Sequence, residues 1–324
     1  MKPQPRSPSR QGGAALLSAL LIVSLVASLS AAALWQQWRL TEVERLERGR
    51  QQSDWILNGA MDWARLILRE DARSGGADHL GEPWAVALQE ARLSSFLASD
   101  RNASGLSDLS NVFLSGRIED LQGRLNLSNL VADGKLSEPD IAMAERLFAL
   151  IDLPVPLARQ IASSLRDAMV PDSPAAGGER PFLPQRIDQL VWLGLSAEQV
   201  ARLAPHVSLL PQRTTLNLNT ASAELISASV KGLELGQARK MVEARQRQHW
   251  PDLGRADAAL GGRATFSAER HGLNSRFFSV TGHLRQDDLQ VTQQSLVRRD
   301  GLEVRIVWRR SQTQPAGGVG VSGP

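Results

Sequence analysis

Two short runs, Leu125-Asn126-Leu127-Ser128-Asn129 and Leu216-Asn217-Leu218-Asn219-Thr220, carry the most suggestive side-chain chemistry in the chain. Each alternates a core-seeking leucine with a short polar residue able to accept a hydrogen bond from nearby backbone. That is capping chemistry, in which Asn, Ser or Thr satisfies the orphan N–H groups of a following helix. The copies lie 91 positions apart (216−125) and a helical stretch follows each, which points to two related helical units rather than a solenoid. Catalytic chemistry is thinner. Cys and Tyr are absent, so thiol nucleophiles, disulfides and Cys-ligated zinc are excluded. His79, His206, His249, His271 and His283 show no H-E-x-x-H or paired metal spacing and read as isolated surface or packing residues. No G-x-S-x-G elbow or Walker loop occurs. Gly318 to Gly323 fits G-x-G-x-x-G only formally, with no strand before it and no helix after it.

These residues need elements to hold them. From Gln11 to Trp38 no side chain is charged, and Ala14 to Leu34 is almost wholly apolar. As a helix rising about 1.5 Å per residue, that run covers a hydrocarbon core of roughly 30 Å. Lys2, Arg6 and Arg10 precede it, which places the N-terminus in the cytoplasm. Trp35 and Trp38 fall where an interfacial aromatic belt belongs. The full chain of 324 residues has 37 basic and 34 acidic side chains. Removing the three leader cations leaves 34 against 34, so the body has no electrostatic footprint for nucleic acid.

Past the membrane, Ile56, Ala60, Trp63 and Ile67 form a helical stripe, and Gly75-Gly76 is a natural stop. Near the other end, Leu302, Val304, Ile306 and Trp308 alternate as a strand. Asp300-Gly301 before it is a hairpin signal, Leu289 to Val297 a second strand, and Phe278, Val280 and Leu284 mark a third. This meander needs one face covered, and the N-terminal helix is the natural cover. Between them lie short helices. One opens at Ser137-Glu138-Pro139-Asp140 and runs to about Leu150; another opens at Ser196 and ends before Pro205. The tail after Arg310 reads as disordered.

Arg10-Gln11-Gly12-Gly13 before the apolar run resembles a type IV prepilin leader, which a prepilin peptidase cuts between Gly13 and Ala14. A secretory signal with Ala31-Ala32-Ala33 as its cleavage site, or a plain anchor, are the alternatives. Most pilins carry Glu at the fifth mature position; here it is Ser18. An uncharged residue there is characteristic of the K-type pseudopilins of type II secretion systems. Ile118 to Leu130 is similar to that family's signature around D-L-Q-G-R-x-N-L-N, which includes Asp120, Gly123 and Asn126. Asn217, Asn219 and Thr220 match its N-x-N-T-A. Glu82-Pro83-Trp84-Ala85 and Ser275 to Val280 resemble two further motifs, all in family order.

The resemblance implies an α+β fold of type IV pilin kind, a long N-terminal helix on an antiparallel sheet, with a large inserted all-α domain. It divides the chain into a leader (1–13), a membrane part of the helix (14–34) and a first pilin-like part (35–123). A helical insert with two related units (124–274), returning strands (275–310) and a disordered tail (311–324) follow. It implies a tip subunit, assembling rather than catalysing, with I-type and J-type minor pseudopilins, the pseudopilus and the inner-membrane assembly platform as partners. The family's helical domain is associated with calcium, and the corresponding residues here are Asp167, Asp172 and Glu179. Arg166 and Arg180 stand beside them, and a solvated loop is the alternative. The N-x-N-T-A run also occurs in helix-hairpin-helix DNA-uptake proteins, but Gly232 and Gly236 are spaced too widely and Glu234 adds an acid. A membrane-anchored DNA-uptake protein, or an envelope enzyme without a recognisable motif, remain the alternative functions.

Overall fold

The computed structural model describes residues 12–97, 111–169, 182–261, 265–286 and 289–315. The chain divides into two compact units, up to Ile56 and from Leu57 onward. Helix α1 (Gly12–Ser74) supplies the first and continues into the second. In the first unit it contains a window of mean hydropathy 2.3, long and apolar enough to cross a membrane. Two of its hydroxyls return to the helix's own carbonyls: Ser18 Oγ donates to Ala15 O (3.0 Å) and Ser28 Oγ to Ser24 O (2.8 Å). Such back-bonding pairs these two polar hydrogens within the helix, which suits an apolar setting.

In the second unit, Leu57, Met61, Ala64 and Leu68 are the buried face of α1. The buried stripe lies one residue later than the spacing predicts: Ala60 and Ile67 are half-buried and Trp63 is 53% exposed. Both stripes have spacings of four, three and four, so periodicity does not separate them. Close approach does. A β-carbon on Gly282 would meet Leu57 Cδ2 at 3.0 Å, so the sheet accepts the slimmer stripe and leaves the indole outside.

That sheet has five antiparallel strands. β1 (Leu88–Arg92) is followed by α2 (Leu93–Leu97), and β2 is Val112–Asp120. β9 (Phe277–Gln286), β10 (Leu289–Asp300) and β11 (Glu303–Pro315) return at the end of the chain. The spatial order is β1-β2-β9-β10-β11. Phe278, Val280, Val297 and Val304 pack against Met61, Ala64, Leu68 and Trp84. The last hairpin turns at Gly301 (φ +57°), with Asp300 opposite Glu303. Leu302 therefore sits in the turn, half exposed, rather than in the strand. The strand also outlasts the expected boundary at Arg310: Ser311 faces Gln293 and Thr313 faces Val291. Polar alternation gave no apolar signal there, yet the β10 ladder supplies the partner. Residues 316–324 lie outside the described residues.

Between β2 and β9 the chain is mainly helical. β3 (Leu125–Asn126), the small hairpin β4 (Val131–Ala132) and β5 (Lys135–Leu136), α3 (Glu138–Leu150) and α4 (Pro156–Met169) come first. α5 (Ala197–Leu203), β6 (Val207–Ser208), β7 (Leu216–Asn217), α6 (Ala223–Ser229), α7 (Leu235–Arg247), α8 (Leu253–Ala259) and β8 (His271–Gly272) complete it. Ser196 and Gln199 cap α5 reciprocally. The core includes Leu147, Phe148, Ile161, Leu165, Leu203 and Ile226. Two parallel two-residue bridges tie it together. Leu125-Asn126 pairs with Val207-Ser208, and Leu216-Asn217 pairs with His271-Gly272. Each L-N-L run thus begins as a strand fragment before it caps anything.

Candidate functional site: a buried clasp between sheet and helical domain

Asp120 ends β2 and is buried. Its Oδ1 accepts from the Gln122 N–H at 2.8 Å, which opens a single 3-10 turn. Its Oδ2 accepts from Asn217 Nδ2 (3.0 Å), Thr220 Oγ1 (2.6 Å) and Ser275 Oγ (2.7 Å). Burial pushes this carboxyl up from its ordinary value, while the bonds from Thr220, Ser275 and the Gln122 N–H pull the other way. Four donors on one carboxylate are what its charged form requires out of water. Asn217 also donates to the Asp78 carbonyl (3.2 Å) and to Ser275 Oγ, and its Oδ1 accepts from the Asn219 N–H (2.9 Å). One asparagine therefore joins β7 of the helical domain to β2, to the start of β9 and to the loop after α1.

Gly123 makes this junction possible. A β-carbon there would stand 2.6 Å from Thr220 Oγ1 and 3.1 Å from the Thr220 carbonyl carbon. Gln122 then threads through, its Oε1 accepting from the Arg276 N–H at 2.7 Å.

A second layer of charge surrounds the first. Asp71, near the end of α1, and Asp78, in the following loop, both pair with Arg299 of β10. Arg299 Nη1 lies 2.6 Å from Asp71 Oδ2; its Nη2 bonds Asp78 and donates to Ser275 O at 2.9 Å, with the guanidinium 4.8 Å from the Phe278 ring centroid. Asp78 Oδ2 accepts from the Ser275 N–H at 2.6 Å. Burial raises Asp78, and burial with the Glu82 charge raises Asp71, both against the pull of Arg299. Burial alone would lower Arg299, but Asp78 and Asp71 hold it above its ordinary value. Ligand-type oxygens of Asp71, Asp78 and Glu82 lie within 4.8 Å of one another. Arg299 already supplies the positive charge among them. Glu82 Oε2 is likewise engaged, accepting from the His79 N–H (2.8 Å) and Trp84 Nε1 (2.7 Å).

The remaining expected residues lie elsewhere. Asn126 serves the first helical unit: its Nδ2 donates to Gln212 O (2.8 Å), and its Oδ1 accepts from the Ser128 and Leu210 N–H groups. Asn219 pins the far end of the second unit by exchanging bonds with the Trp250 backbone, 2.9 and 3.0 Å. Gly13 and Ala14 lie in the first turn of α1, and Ser18 is exposed on it. Asp167 closes α4 with its Oδ1 bonded to Arg166 Nε and Nη2 at 3.0 and 2.8 Å. Asp172 and Glu179 lie outside the described residues. The one described carboxylate of that expected calcium set thus faces a guanidinium, which does not fit a hard-cation ligand at that oxygen, and no calcium chemistry is derived from it.

Asp71, Asp78 and Arg299 were not singled out from sequence. Their signal is faint: two acids flanking Gly75-Gly76, and an arginine at a strand position that alternation assigns to the covered face. The hairpin between α6 and α7 has Gly232 at φ +82° and Glu234 at the N-cap of α7. An acid stands where a phosphate-gripping hairpin needs bare N–H groups, so the DNA-uptake reading gains no support.

Two family models, both described as type II secretion system (T2SS), protein K, match residues 123–212 and 216–274. A type II secretion system protein K of Pseudomonas aeruginosa is 27% identical over 92% of this chain and 92% of its own length. One from Pectobacterium carotovorum is 28% identical over 93% and 97%. In fold, the chain resembles a chain in the crystal structure of the GspK-GspI-GspJ complex from the enterotoxigenic Escherichia coli type 2 secretion system. The TM-score is 0.61 at 19% identity, over 83% of this chain and 98% of that one.

Proposed function

We propose that this chain, which belongs to the type II secretion system protein K family, is the minor pseudopilin that caps the tip of the pseudopilus and initiates its assembly for protein export. The observation that carries the reading is convergence. The motifs around Asp120, Asn217 and Ser275, spread over 155 positions (275−120), meet in one clasp that fastens the helical domain to the sheet, with Glu82 beside Asp71 and Asp78 at its edge. These side chains bond one another and nearby backbone in a buried junction, so their chemistry serves construction. The helical domain spanning about 124–274 is too bulky for a filament of ordinary pilin width, which favours the end of the filament.

The apolar run in α1 anchors the chain by a single pass. On our reading the N-terminus is cytoplasmic, prepilin peptidase removes residues 1–13, and Ala14 becomes the first residue. The body is then periplasmic. Ser18 offers no carboxylate to the N-terminal amine of a subunit above it, as suits a topmost position. The solved complex of GspK with GspI and GspJ supports I-type and J-type minor pseudopilins as the partners here, with the pseudopilus and the inner-membrane assembly platform beyond them. No nucleic acid enters the scheme.

Two measurements test it. Intact mass of the membrane-extracted protein should show loss of residues 1–13; loss of 1–33 would instead indicate an ordinary signal peptide. Affinity capture of the full chain should recover the I-type and J-type subunits in fixed ratio, and their absence would sink the tip assignment.

A further inference from the structure

His79, in the loop between α1 and β1, and His249, in the turn between α7 and α8, stack face to face. Their ring centroids are 3.9 Å apart and their planes lie within 10°. Both rings are half-buried and both are held by anchored backbone. The Gly81 N–H donates to His79 Nδ1 at 3.1 Å, and the His79 N–H donates to Glu82 at 2.8 Å. On the other side, Asn219 clamps the backbone of Trp250, the residue after His249. The bond from Gly81 requires His79 Nδ1 to be unprotonated. The stack thus sets a His79 ring whose Nδ1 accepts a backbone hydrogen bond face to face with the His249 ring.

We propose that the His79–His249 stack is a pH-sensitive latch, closed near neutrality and released in mild acid, that controls how firmly the helical domain is held to the sheet. A proton on His79 Nδ1 breaks the Gly81 bond. A proton on each ring sets two like charges at stacking distance. Glu82 is the carboxylate facing the pair, and it is already engaged by His79 N–H and Trp84. Asp71 and Asp78, beyond it, are committed to Arg299. One carboxylate can compensate one imidazolium, not two. Burial, and then the facing His79, push His249 below its ordinary value, while Glu82 opposes them. A base lowered in the folded state stabilises it fully above the unfolded value of about 6.5 and less as pH falls below that. The latch has a hinge beside it: Gly75 and Gly76 adopt φ +69° and +111°, open to rotation that L side chains resist.

The absence of cysteine makes the test direct. The full chain in detergent, carrying Arg69→Cys on α1 and Lys240→Cys on α7, is spin-labelled and its inter-label distances are measured at pH 7.5 and 5.5. The expected result is one narrow population at pH 7.5 and a second, longer one at pH 5.5. In the His249→Asn background, and separately in His79→Asn, the distribution at pH 5.5 should stay as it is at pH 7.5. An unchanged distribution in the parent at pH 5.5 overturns the latch. So does an equal change between pH 7.5 and 5.5 in all three backgrounds.

Discussion

Gly123 lies so close to Thr220 that a β-carbon on it would stand 2.6 Å from the threonine hydroxyl, the same hydroxyl that bonds Asp120. The two residues come from opposite sides of the clasp, and backbone nearby leaves neither room to retreat. Gly123→Ala should cost about 1–3 kcal/mol as an overpacking change, read as a lowered denaturation midpoint. Gly236→Ala on α7 is the control: nothing lies within 4 Å of its β-carbon, so the helix should gain up to about 1 kcal/mol. Equal effects at the two sites would show that the close approach has no energetic weight.

Asp120 gathers three side-chain donors and one backbone N–H. Asp120→Ala removes the acceptor that Asn217, Thr220 and Ser275 share; Asn217 keeps the Asp78 carbonyl and Thr220 the Asn217 carbonyl, while the Ser275 hydroxyl loses its acceptor. The expected loss is about 2–3 kcal/mol, since an unsatisfied buried donor costs roughly 1–3 kcal/mol and each lost hydrogen bond about 1 kcal/mol. Removing Thr220's hydroxyl alone (Thr220→Val) should cost about 1 kcal/mol. In Asp120→Ala the same change should become nearly neutral, a coupling that a double-mutant cycle in denaturant reads directly.

Arg299 is held between Asp71 and Asp78 with all three side chains buried to below a tenth exposed. Arg299→Met leaves two buried carboxylates without a counter-ion and should cost about 3–5 kcal/mol at pH 7. The triple variant with Asp71→Asn and Asp78→Asn should recover most of that loss. Acid should also rescue the single variant, because protonating the two carboxyls removes the uncompensated charge. A single variant insensitive to pH between 4 and 7 would contradict this account.

His271 pairs with Leu216 across the parallel bridge. Burial pushes its imidazole down to about 4. Against an unfolded value near 6.5, the folded state prefers the neutral ring. Its contribution is whole above pH 6.5 and falls away by about 3 kcal/mol as pH drops to 4. His271→Gln should flatten that stretch of the stability curve, measured by chemical denaturation at half-unit intervals of pH. A parallel curve for parent and variant would assign the acid sensitivity elsewhere.

Ser18 faces outward on α1 and satisfies its own hydroxyl within the helix. Ser18→Glu gives the chain the acid that most pilins carry, and should change the ratio of this chain to the proposed I-type and J-type partners in captured assemblies. An unchanged ratio would show that this position does not limit where the subunit sits.

Some of this was open to reading from sequence and some was not. The end of α1 and the final three strands follow from local signals: Gly75-Gly76, period-two alternation, and Asp300-Gly301. The capping role of Asn126 also follows, because an asparagine bonding backbone two residues on is a local event; Asn217 makes the same local bond in a turn instead, and Ser222 caps α6. The buried stripe of α1 did not, since two adjacent stripes share one period and only Gly282 on a distant strand chooses between them. β1 and β2 carried no alternation strong enough to announce a strand, and β2 depends on β9 for its place. The Arg299 cluster was hidden for the same reason: Asp71, Asp78 and Arg299 belong together only after the sheet has closed. Side chains whose partners are more than two hundred positions away leave no spacing to recognise.

The strand order has a consequence for synthesis. β2 pairs with β9, so Asp120 meets Phe278 across 158 positions (278−120), and the whole helical domain is made in between. The apolar stripe of α1 from Leu57 to Leu68 emerges early, while its cover on β9, β10 and β11 comes from the last forty or so residues of the described chain. The helical domain has its own core and can settle while that stripe waits. The nascent subunit is therefore exposed along one helix face until its final hairpin arrives. Truncation by a single C-terminal strand would remove Val304 and leave the sheet side of Arg65, whose Nε bonds the Val304 carbonyl at 2.9 Å, with nothing to close upon.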